Sequence, residues 1–188
     1  MRSGNDILSQ LERIEPEPLN GTYYRIVRIE FMREPLGTLG SKRAGGRYNL
    51  KGKFEVLYLA ADSDLALKES SPGFEVKFPP HVLFSVEVNL SRVVRLDHPK
   101  IREELGVSLD DLLIPWRYDQ NVLGQEAFTQ KLGRMIRSSK RFEAILYPSK
   151  VDPSRSNLGI LMDRIRKGST VDLYDPDKIV QWTYRGQI

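Results

Sequence analysis

Apolar and polar residues alternate most regularly between Val82 and Leu90. Every second residue there is apolar, and three of the four residues between them are polar. This period of two predicts a strand with one face in the core, and residues 93–96 are expected to continue it. Further strands are predicted at residues 22–29, 54–60, 142–147 and 157–162, with a short edge strand at residues 74–78.

Helical spacing of apolar residues predicts helices between these strands. Residues 5–13 carry Ile7, Leu8 and Leu11 on one side, and a Glu-Pro-Glu-Pro run then ends the helix. The longest helix is expected at residues 124–139, with an apolar stripe beside a basic face. Other helices are predicted from Asp62 or Ser63 to Glu69, at residues 99–105 before Gly106, and from Ser108 to the residues before Pro115.

The length of 188 residues and the apolar content of 40% fit a single domain. We expect residues 1–20 to form a helical arm that packs on a domain spanning residues 21–188. No run of about 18 apolar residues is present, which argues against a membrane-spanning helix. The first residues also lack the apolar core of a signal peptide, so a cytoplasmic protein is expected.

Composition and charge narrow the classes of function. The absence of cysteine excludes disulfides, thiol catalysis and cysteine-based zinc sites. His81 and His98 lie apart without metal-ligand spacing, so no metal is expected. The net charge of +4 fits anionic small ligands and acidic proteins as well as nucleic acid. Because no aromatic single-strand platform or helix-turn-helix is recognisable, direct nucleic-acid binding is not expected.

A glycine-rich basic stretch between Ser41 and Lys53 is the first candidate for a binding site. Glycines at positions 45, 46 and 52 lie among five Lys and Arg residues, with no acid between them. Such loops direct backbone N–H groups at phosphate oxygens, and Arg47 suits bidentate phosphate contact. A solvated basic hairpin loop is the alternative, and short stretches of this composition are often surface turns.

The strand after this loop carries Tyr58. A period of two places Tyr58 on one face with Phe54, Val56 and Ala60. The other face is also mostly apolar, which predicts an internal strand. The Tyr58 hydroxyl therefore needs a partner, and an ordinary core contact and a bound ligand are equally open.

The helix that follows carries Glu69 in its last turn. Glu69 lies four residues after Leu65 and three after Ala66, which places it on the apolar side of the helix. A carboxylate facing inward is costly unless it is paired or functional. A solvated glutamate at the helix end is the alternative, because Pro72 and Gly73 follow closely.

These residues resemble the RES domain family. The resemblance lies in Arg47 of GGRYN, Tyr58 of VLYLA, Glu69 of LALKES and Ser149 of AILYPSKVDPSRSNLGIL, and it spans residues 22–161. One departure is Tyr48, where the family more often has Trp. The resemblance implies a single ADP-ribosyltransferase-like domain of α+β class, with central mixed or antiparallel sheets flanked by helices. It also implies a toxin that consumes NAD and is paired with an Xre-type antitoxin protein.

The resemblance implies roles for individual residues. Glu69 would stabilise the positive charge that develops on the ribose as its bond to nicotinamide breaks. Arg47 would hold the pyrophosphate, assisted by the Tyr24-Arg25 pair of the first strand. Tyr58 and Ser149 would position the nicotinamide ribose or carboxamide. No His–Asp pair accompanies Ser149, so we expect it to donate a hydrogen bond and not to act as a nucleophile.

Several alternatives remain open from the sequence. The acceptor of ADP-ribose is water, phosphate or a protein, so an ADP-ribosyltransferase acting on a macromolecule is the second hypothesis. A non-catalytic basic binding module is the third. For Arg25, a salt bridge at the strand edge is an equal alternative to ligand binding. Trp116 either stacks on a ligand or lies in the core, and the basic face of the longest helix is either solvated or an antitoxin surface.

Overall fold

The computed structural model describes residues 4–70, 79–177 and 183–185. The strands within these ranges form one mixed sheet. They are β1 (Glu17–Arg28), β2 (Val56–Ala60), β3 (His81–Arg95), β4 (Ala144–Pro148), β5 (Ser156–Leu161), β6 (Thr170–Leu173) and β7 (Thr183–Arg185). The helices are α1 (Gly4–Leu11), α2 (Leu39–Ala44), α3 (Ser63–Ser70), α4 (Pro99–Leu105), α5 (Leu109–Leu113), α6 (Trp116–Asn121) and α7 (Phe128–Ser138). None of these described helices is long and apolar enough to cross a membrane.

Strand β3 is the centre of the sheet because both of its edges are paired. Strand β1 runs antiparallel along one edge, from Glu17 opposite Val93 to Arg28 opposite His81. The other edge pairs antiparallel with β6 through residues 86–89 and parallel with β4 through residues 93–95. The sheet is therefore mixed, as expected.

The strand order β1-β2-β5-β4-β3 returns to its start, since β1 pairs with both β2 and β3. The β1–β2 pairing is made at Tyr24, which lies opposite Ala60. This closure places the Tyr24-Arg25 pair beside the strand that carries Tyr58. The fold is the α+β, ADP-ribosyltransferase-like architecture that the resemblance implied, and that prediction is confirmed.

Two large apolar clusters occupy the two faces of the sheet. One contains Phe54 and Val56 from β2 and its approach, together with residues of α1, α4, α5 and α7. The other contains Leu57 and Leu59, together with residues of β3, β4 and β5. The predicted alternation along residues 54–60 is therefore confirmed, and β2 is internal, between β1 and β5.

The N-terminal helix packs on the domain through the apolar side that its sequence predicted. Ile7, Leu11 and Ile14 are buried in the first cluster. Strand β1 begins at Glu17, earlier than the predicted residue 22, because the long partner strand β3 extends far enough to pair with it. Pro18 is tolerated there because the register shifts between Glu17 and Leu19.

Two helices occupy segments that the sequence did not assign to helices. Residues 39–44, expected to be irregular and part of a basic loop, form α2. Residues 116–121, after Pro115, form α6. Both are six residues long, too short for apolar spacing to predict them. The predicted edge strand at residues 74–78 lies outside the described residues.

The carboxylate of Glu143 is fully buried and connects separate segments of the chain. Glu143 lies just before β4, and its Oε2 accepts hydrogen bonds from the backbone N–H groups of Ser91 and Arg92 at 2.8 and 2.9 Å. The Ser91 hydroxyl also donates to Oε2, and the Arg166 backbone N–H donates to Oε1 at 2.6 Å. These four donors compensate the cost of burying Glu143 and connect three separate segments.

Candidate functional site

A cavity of about 470 Å³ opens beside the closure of β1 on β2. This volume is in the range of small-molecule sites. Its walls come from β1, β2, α2, α3 and α6. Among the predicted site residues, Tyr24, Arg25, Arg47, Tyr58 and Glu69 line the cavity, whereas Ser149 does not.

Glu69 lies in the last turn of α3, and its carboxylate is held from one side. Its Oε1 accepts hydrogen bonds from the Ser149 hydroxyl and from the Asn157 amide, both at 2.6 Å. No donor to Oε2 is present in the described part of the chain. The side chain faces the cavity as predicted, but Glu69 is exposed and not buried, because it lies on the rim.

Ser149 follows β4 directly and is fully buried. Its hydroxyl oxygen accepts hydrogen bonds from the backbone N–H groups of Val151 and Asp152 at 3.1 and 3.3 Å. Its single proton is donated to Glu69. In this arrangement Ser149 orients the carboxylate, which differs from the expected direct contact with the substrate.

Asn157 is a site residue that the sequence analysis missed. It lies in β5, opposite both Tyr147 and Ala60, and it lines the cavity. The sequence feature that could have identified Asn157 is an amide side chain near the start of an otherwise apolar strand. Its distance of 88 positions from Glu69 hid the contact.

Arg25 carries a buried group without a partner. Its Nη2 donates to the Gly37 carbonyl oxygen at 2.8 Å, but its Nη1 is buried and has no hydrogen-bond partner among the described residues. Burial lowers the pKa of Arg25 to about 10, so the side chain remains charged at neutral pH. No ion pair to Arg25 occurs in the described ranges, so the predicted alternative of a strand-edge salt bridge has no support there. Arg25 also lines the cavity, so its positive charge lies beside any anion bound there.

Arg47 connects the glycine loop to the segment between α5 and α6. Its Nη1 donates to the carbonyl oxygens of Leu112 and Ile114 at 2.8 and 3.2 Å. The next segment places Trp116 against the cavity, with the Arg117 guanidinium 4.7 Å from the centre of its ring. Arg47 is therefore an anchored arginine and not part of a solvated loop. Trp116 is buried, as its core alternative predicted, and it also lines the cavity; stacking on a ligand stays a prediction.

Tyr58 holds the two residues that follow Arg47. Its hydroxyl accepts a hydrogen bond from the Tyr48 backbone N–H at 2.9 Å and donates one to the Asn49 side chain at 2.7 Å. Burial raises the pKa of Tyr58, so the phenol stays neutral. A Cβ at Gly46 would lie 2.5 Å from this hydroxyl, which explains the need for glycine there. The hydroxyl thus has protein partners, while the Tyr58 side chain lines the cavity.

The family model of the RES domain matches residues 22–183. The chain belongs to the RES domain family. It is also similar to a solved structure, a chain of the M. tuberculosis MbcT–MbcA toxin–antitoxin complex, with a TM-score of 0.68 and 19% identity. That similarity covers 90% of each chain and, at this identity, shows a shared fold. No curated protein matches the sequence.

The resemblance to the RES family rested on residues that are far apart in the chain, and the fold brings these residues together. Arg47, Tyr58 and Glu69 line one cavity, and Ser149 contacts Glu69 from behind. Within the described residues, no group of three His, Asp or Glu side chains could hold a metal ion. Among the described residues, the charged side chains that line the cavity are one carboxylate, Glu69, and three arginines, Arg25, Arg47 and Arg117.

Proposed function

We propose that this RES protein is the toxin of a toxin–antitoxin pair and cleaves the bond between nicotinamide and ribose in NAD. The observation that carries the proposal is the Glu69 carboxylate, held on one oxygen by Ser149 and Asn157 at the rim of a cavity lined by arginines. NAD has the matching polarity, because its pyrophosphate is anionic and its nicotinamide ribose becomes cationic during cleavage.

Glu69 supplies the electrostatic part of the mechanism. Nicotinamide leaves as a neutral ring, so the reaction needs no strong general acid. Positive charge grows on the ribose instead, and a fixed carboxylate beside it lowers the barrier. Because Oε1 already accepts two hydrogen bonds, Oε2 remains to contact a ribose hydroxyl or face the cationic centre.

The two arginines account for binding. The Nη1 of Arg25 is buried and has no partner among the described residues, and Arg47 is fixed by two backbone carbonyls. Both line the same cavity as Glu69, so a dinucleotide can reach both its phosphate and ribose contacts. Tyr24 and Tyr58 contribute aromatic walls beside the ribose, and Trp116 offers a surface for one of the bases.

Replacing Glu69 with Gln tests the proposal. Gln keeps an oxygen for Ser149 and Asn157, so the fold should persist, but it removes the charge. We expect NAD cleavage by the purified protein to fall at least about a hundredfold with little change in melting temperature. Glu103→Gln on α4, at an exposed position, is the matched control and should keep wild-type activity.

Three results would contradict the proposal. Wild-type protein that leaves NAD intact, with water, phosphate and protein acceptors all supplied, would exclude NAD consumption. Full activity of Glu69→Gln would exclude the carboxylate's role. Unfolding of Glu69→Gln would instead make Glu69 a structural residue.

Transfer of ADP-ribose to a macromolecule is the second candidate, and the exposure of Glu69 favours it over a closed site. An acceptor protein can approach a carboxylate on the rim, and an enclosed cavity would exclude it. Mass spectrometry of proteins from expressing cells separates the two reactions. Modified proteins with stable free NAD would indicate transfer, whereas a fall in NAD without modification would indicate cleavage.

The partner in this proposal is an antitoxin protein, expected to be of Xre type, that acts with the toxin in the cytoplasm. Its support is membership of the RES family and the fold shared with a chain of the MbcT–MbcA complex. Growth arrest on expression of the wild-type chain, relieved by Glu69→Gln, would support the toxin assignment. Normal growth with wild-type protein would contradict it.

A further inference from the structure

Arg155 lies outside the cavity but binds three carboxylates on two segments. Its Nε donates to Asp152 at 2.8 Å, its Nη1 to Asp62 at 2.8 Å and its Nη2 to Asp64 at 3.0 Å. Asp62 and Asp64 belong to the start of α3, whereas Asp152 lies in the loop between β4 and β5. The guanidinium therefore ties this loop, residues 149–155, to the first turn of α3.

Helix α3 has little apolar packing of its own. Only Leu65 and Ala66 are buried among its eight residues, in a small cluster with Ala60. Leu67, the next apolar residue, is 49% exposed. Polar contacts must therefore contribute strongly to the position of the helix, and Glu69 is carried in its last turn.

The 149–155 loop contacts α3 at both ends. At the first turn the contact is made by Arg155, and at the last turn by Ser149 through Glu69. The loop is itself rigid between these points, because the Ser149 backbone N–H donates to the Arg155 carbonyl oxygen at 2.8 Å. The donor to Glu69 and the anchor of its helix are thus parts of one hydrogen-bonded unit.

We propose that Arg155 is a positioning residue that sets the place of the Glu69 carboxylate for the reaction. The proposal rests on the proposed function for its kinetic consequence. Charged groups must be held to within about 0.5 Å for efficient catalysis, and a displacement of about 1 Å can cost about a hundredfold in rate. With Arg155 absent, Asp152 and Asp62 repel each other, Asp64 keeps only its ion pair with Lys68 within α3, and the first turn of α3 moves away from the loop.

Two substitutions test this role. Arg155→Gln removes the charge and two of the three contacts, and kcat for NAD cleavage should fall at least about tenfold while KM stays within about threefold. Arg155→Lys keeps the charge and should restore part of kcat. Arg134→Gln is the control, because it breaks a comparable two-bond contact between Arg134 of α7 and Glu126, away from α3. It should leave both constants unchanged.

Hydrogen exchange provides a measurement that does not depend on activity. In Arg155→Gln, the amides of α3 should exchange faster than in wild type, while those of β4 and β5 stay protected. Unchanged exchange in α3, or an unchanged kcat, would overturn the proposal. Faster exchange throughout the sheet together with a lower melting temperature would overturn it as well, since Arg155 would then support the whole fold.

The two proposals fail in different ways. If wild-type protein does not cleave NAD, the proposed function is wrong, and exchange in α3 alone decides whether Arg155 positions Glu69. If wild type cleaves NAD and Arg155→Gln is equally active, only the positioning role is wrong. If Arg155→Gln does not fold, Arg155→Lys carries the same test: a lower kcat with unchanged KM supports the proposal, and wild-type kinetics overturn it.

Discussion

Replacing Arg25 with Met would separate the stability of this protein from its capacity to bind an anion. Met retains an apolar stem of similar reach but carries no charge. In the folded chain the Arg25 Nη1 is buried without a described partner, and Nη2 has one partner, the Gly37 carbonyl. The substitution therefore removes a buried charge at the loss of a single hydrogen bond.

The magnitude follows from the pKa of Arg25. Burial lowers the pKa from its ordinary value to about 10, and a shift of this size corresponds to about 3 kcal/mol against the charged form. The hydrogen bond to Gly37 offsets about 1.5–3 kcal/mol of that cost. We therefore expect the free energy of unfolding of Arg25→Met to be unchanged or up to about 1.5 kcal/mol higher than that of wild type.

The pH dependence has a defined sign. The pKa of Arg25 is lower in the folded chain, so the unfolded chain binds more protons between about pH 10 and 12.5. The cost of the buried charge is fully present below about pH 10 and diminishes as the pH rises above it. The stability gain of Arg25→Met should accordingly be constant across neutral pH.

Denaturant unfolding and a thermal shift with ADP form the assay. ADP supplies a pyrophosphate group, and saturating ligand stabilises the folded state by about 2.7 kcal/mol at a hundredfold excess over Kd. Wild type should gain stability with ADP, and Arg25→Met should gain much less. Arg28→Met is the control on the same strand, because Arg28 is exposed and pairs only with the exposed Glu30 in the described contacts. It should change stability by less than about 0.5 kcal/mol and keep the ADP response.

Two outcomes would refute this reasoning. A loss of more than about 2 kcal/mol in Arg25→Met would mean that the guanidinium is a structural group whose contacts outweigh its burial cost. An ADP shift equal to that of wild type would mean that Arg25 does not bind the anion.

Further predictions concern the fold around the site. Glu143→Gln should lower the free energy of unfolding by about 3 kcal/mol, because an amide cannot accept from all four donors now bound to the carboxylate. Urea denaturation against the exposed control Glu87→Gln measures this, and equal stability of the two variants would contradict it. Gly133→Ala should cost about 3 kcal/mol, since a Cβ there would overlap the Tyr48 carbonyl. A Cβ added at Gly40 would contact nothing within 4 Å, so Gly40→Ala is the control and should leave the free energy of unfolding unchanged. An unchanged free energy of unfolding in Gly133→Ala would contradict the prediction, because α7 would then move away from Tyr48 at no cost.

Local patterns in the sequence were sufficient to place most elements. The alternation along β3 and the apolar side of α1 were read correctly because each depends on residues a few positions apart. Glu69 was correctly placed on the side of α3 that meets the sheet for the same reason. The solvent exposure of Glu69 was not predicted, since helical spacing shows on which side of the helix a residue lies and not how deeply it is buried.

The composition of the site depended on contacts that no local pattern reveals. Asn157 reaches Glu69 across 88 positions, and Arg47 reaches Leu112 across 65. Ser149 was correctly expected at a strand end, but only the packing of α3 above it showed that its proton goes to Glu69.

The sequence by itself thus determined β1 to β5, the principal helices and the family, because periodicity and short motifs are properties of neighbouring residues. The short strands β6 and β7 were not predicted. The tertiary structure alone decided which polar groups satisfy one another. It paired Glu69 with Ser149 and Asn157, and it buried an Arg25 nitrogen that has no partner in the described part of the chain. The physical reason is that a hydrogen bond requires its two atoms within about 3 Å, and only the pairing of β2 with β5 and of β5 with β4 brings Glu69, Ser149 and Asn157 to that distance.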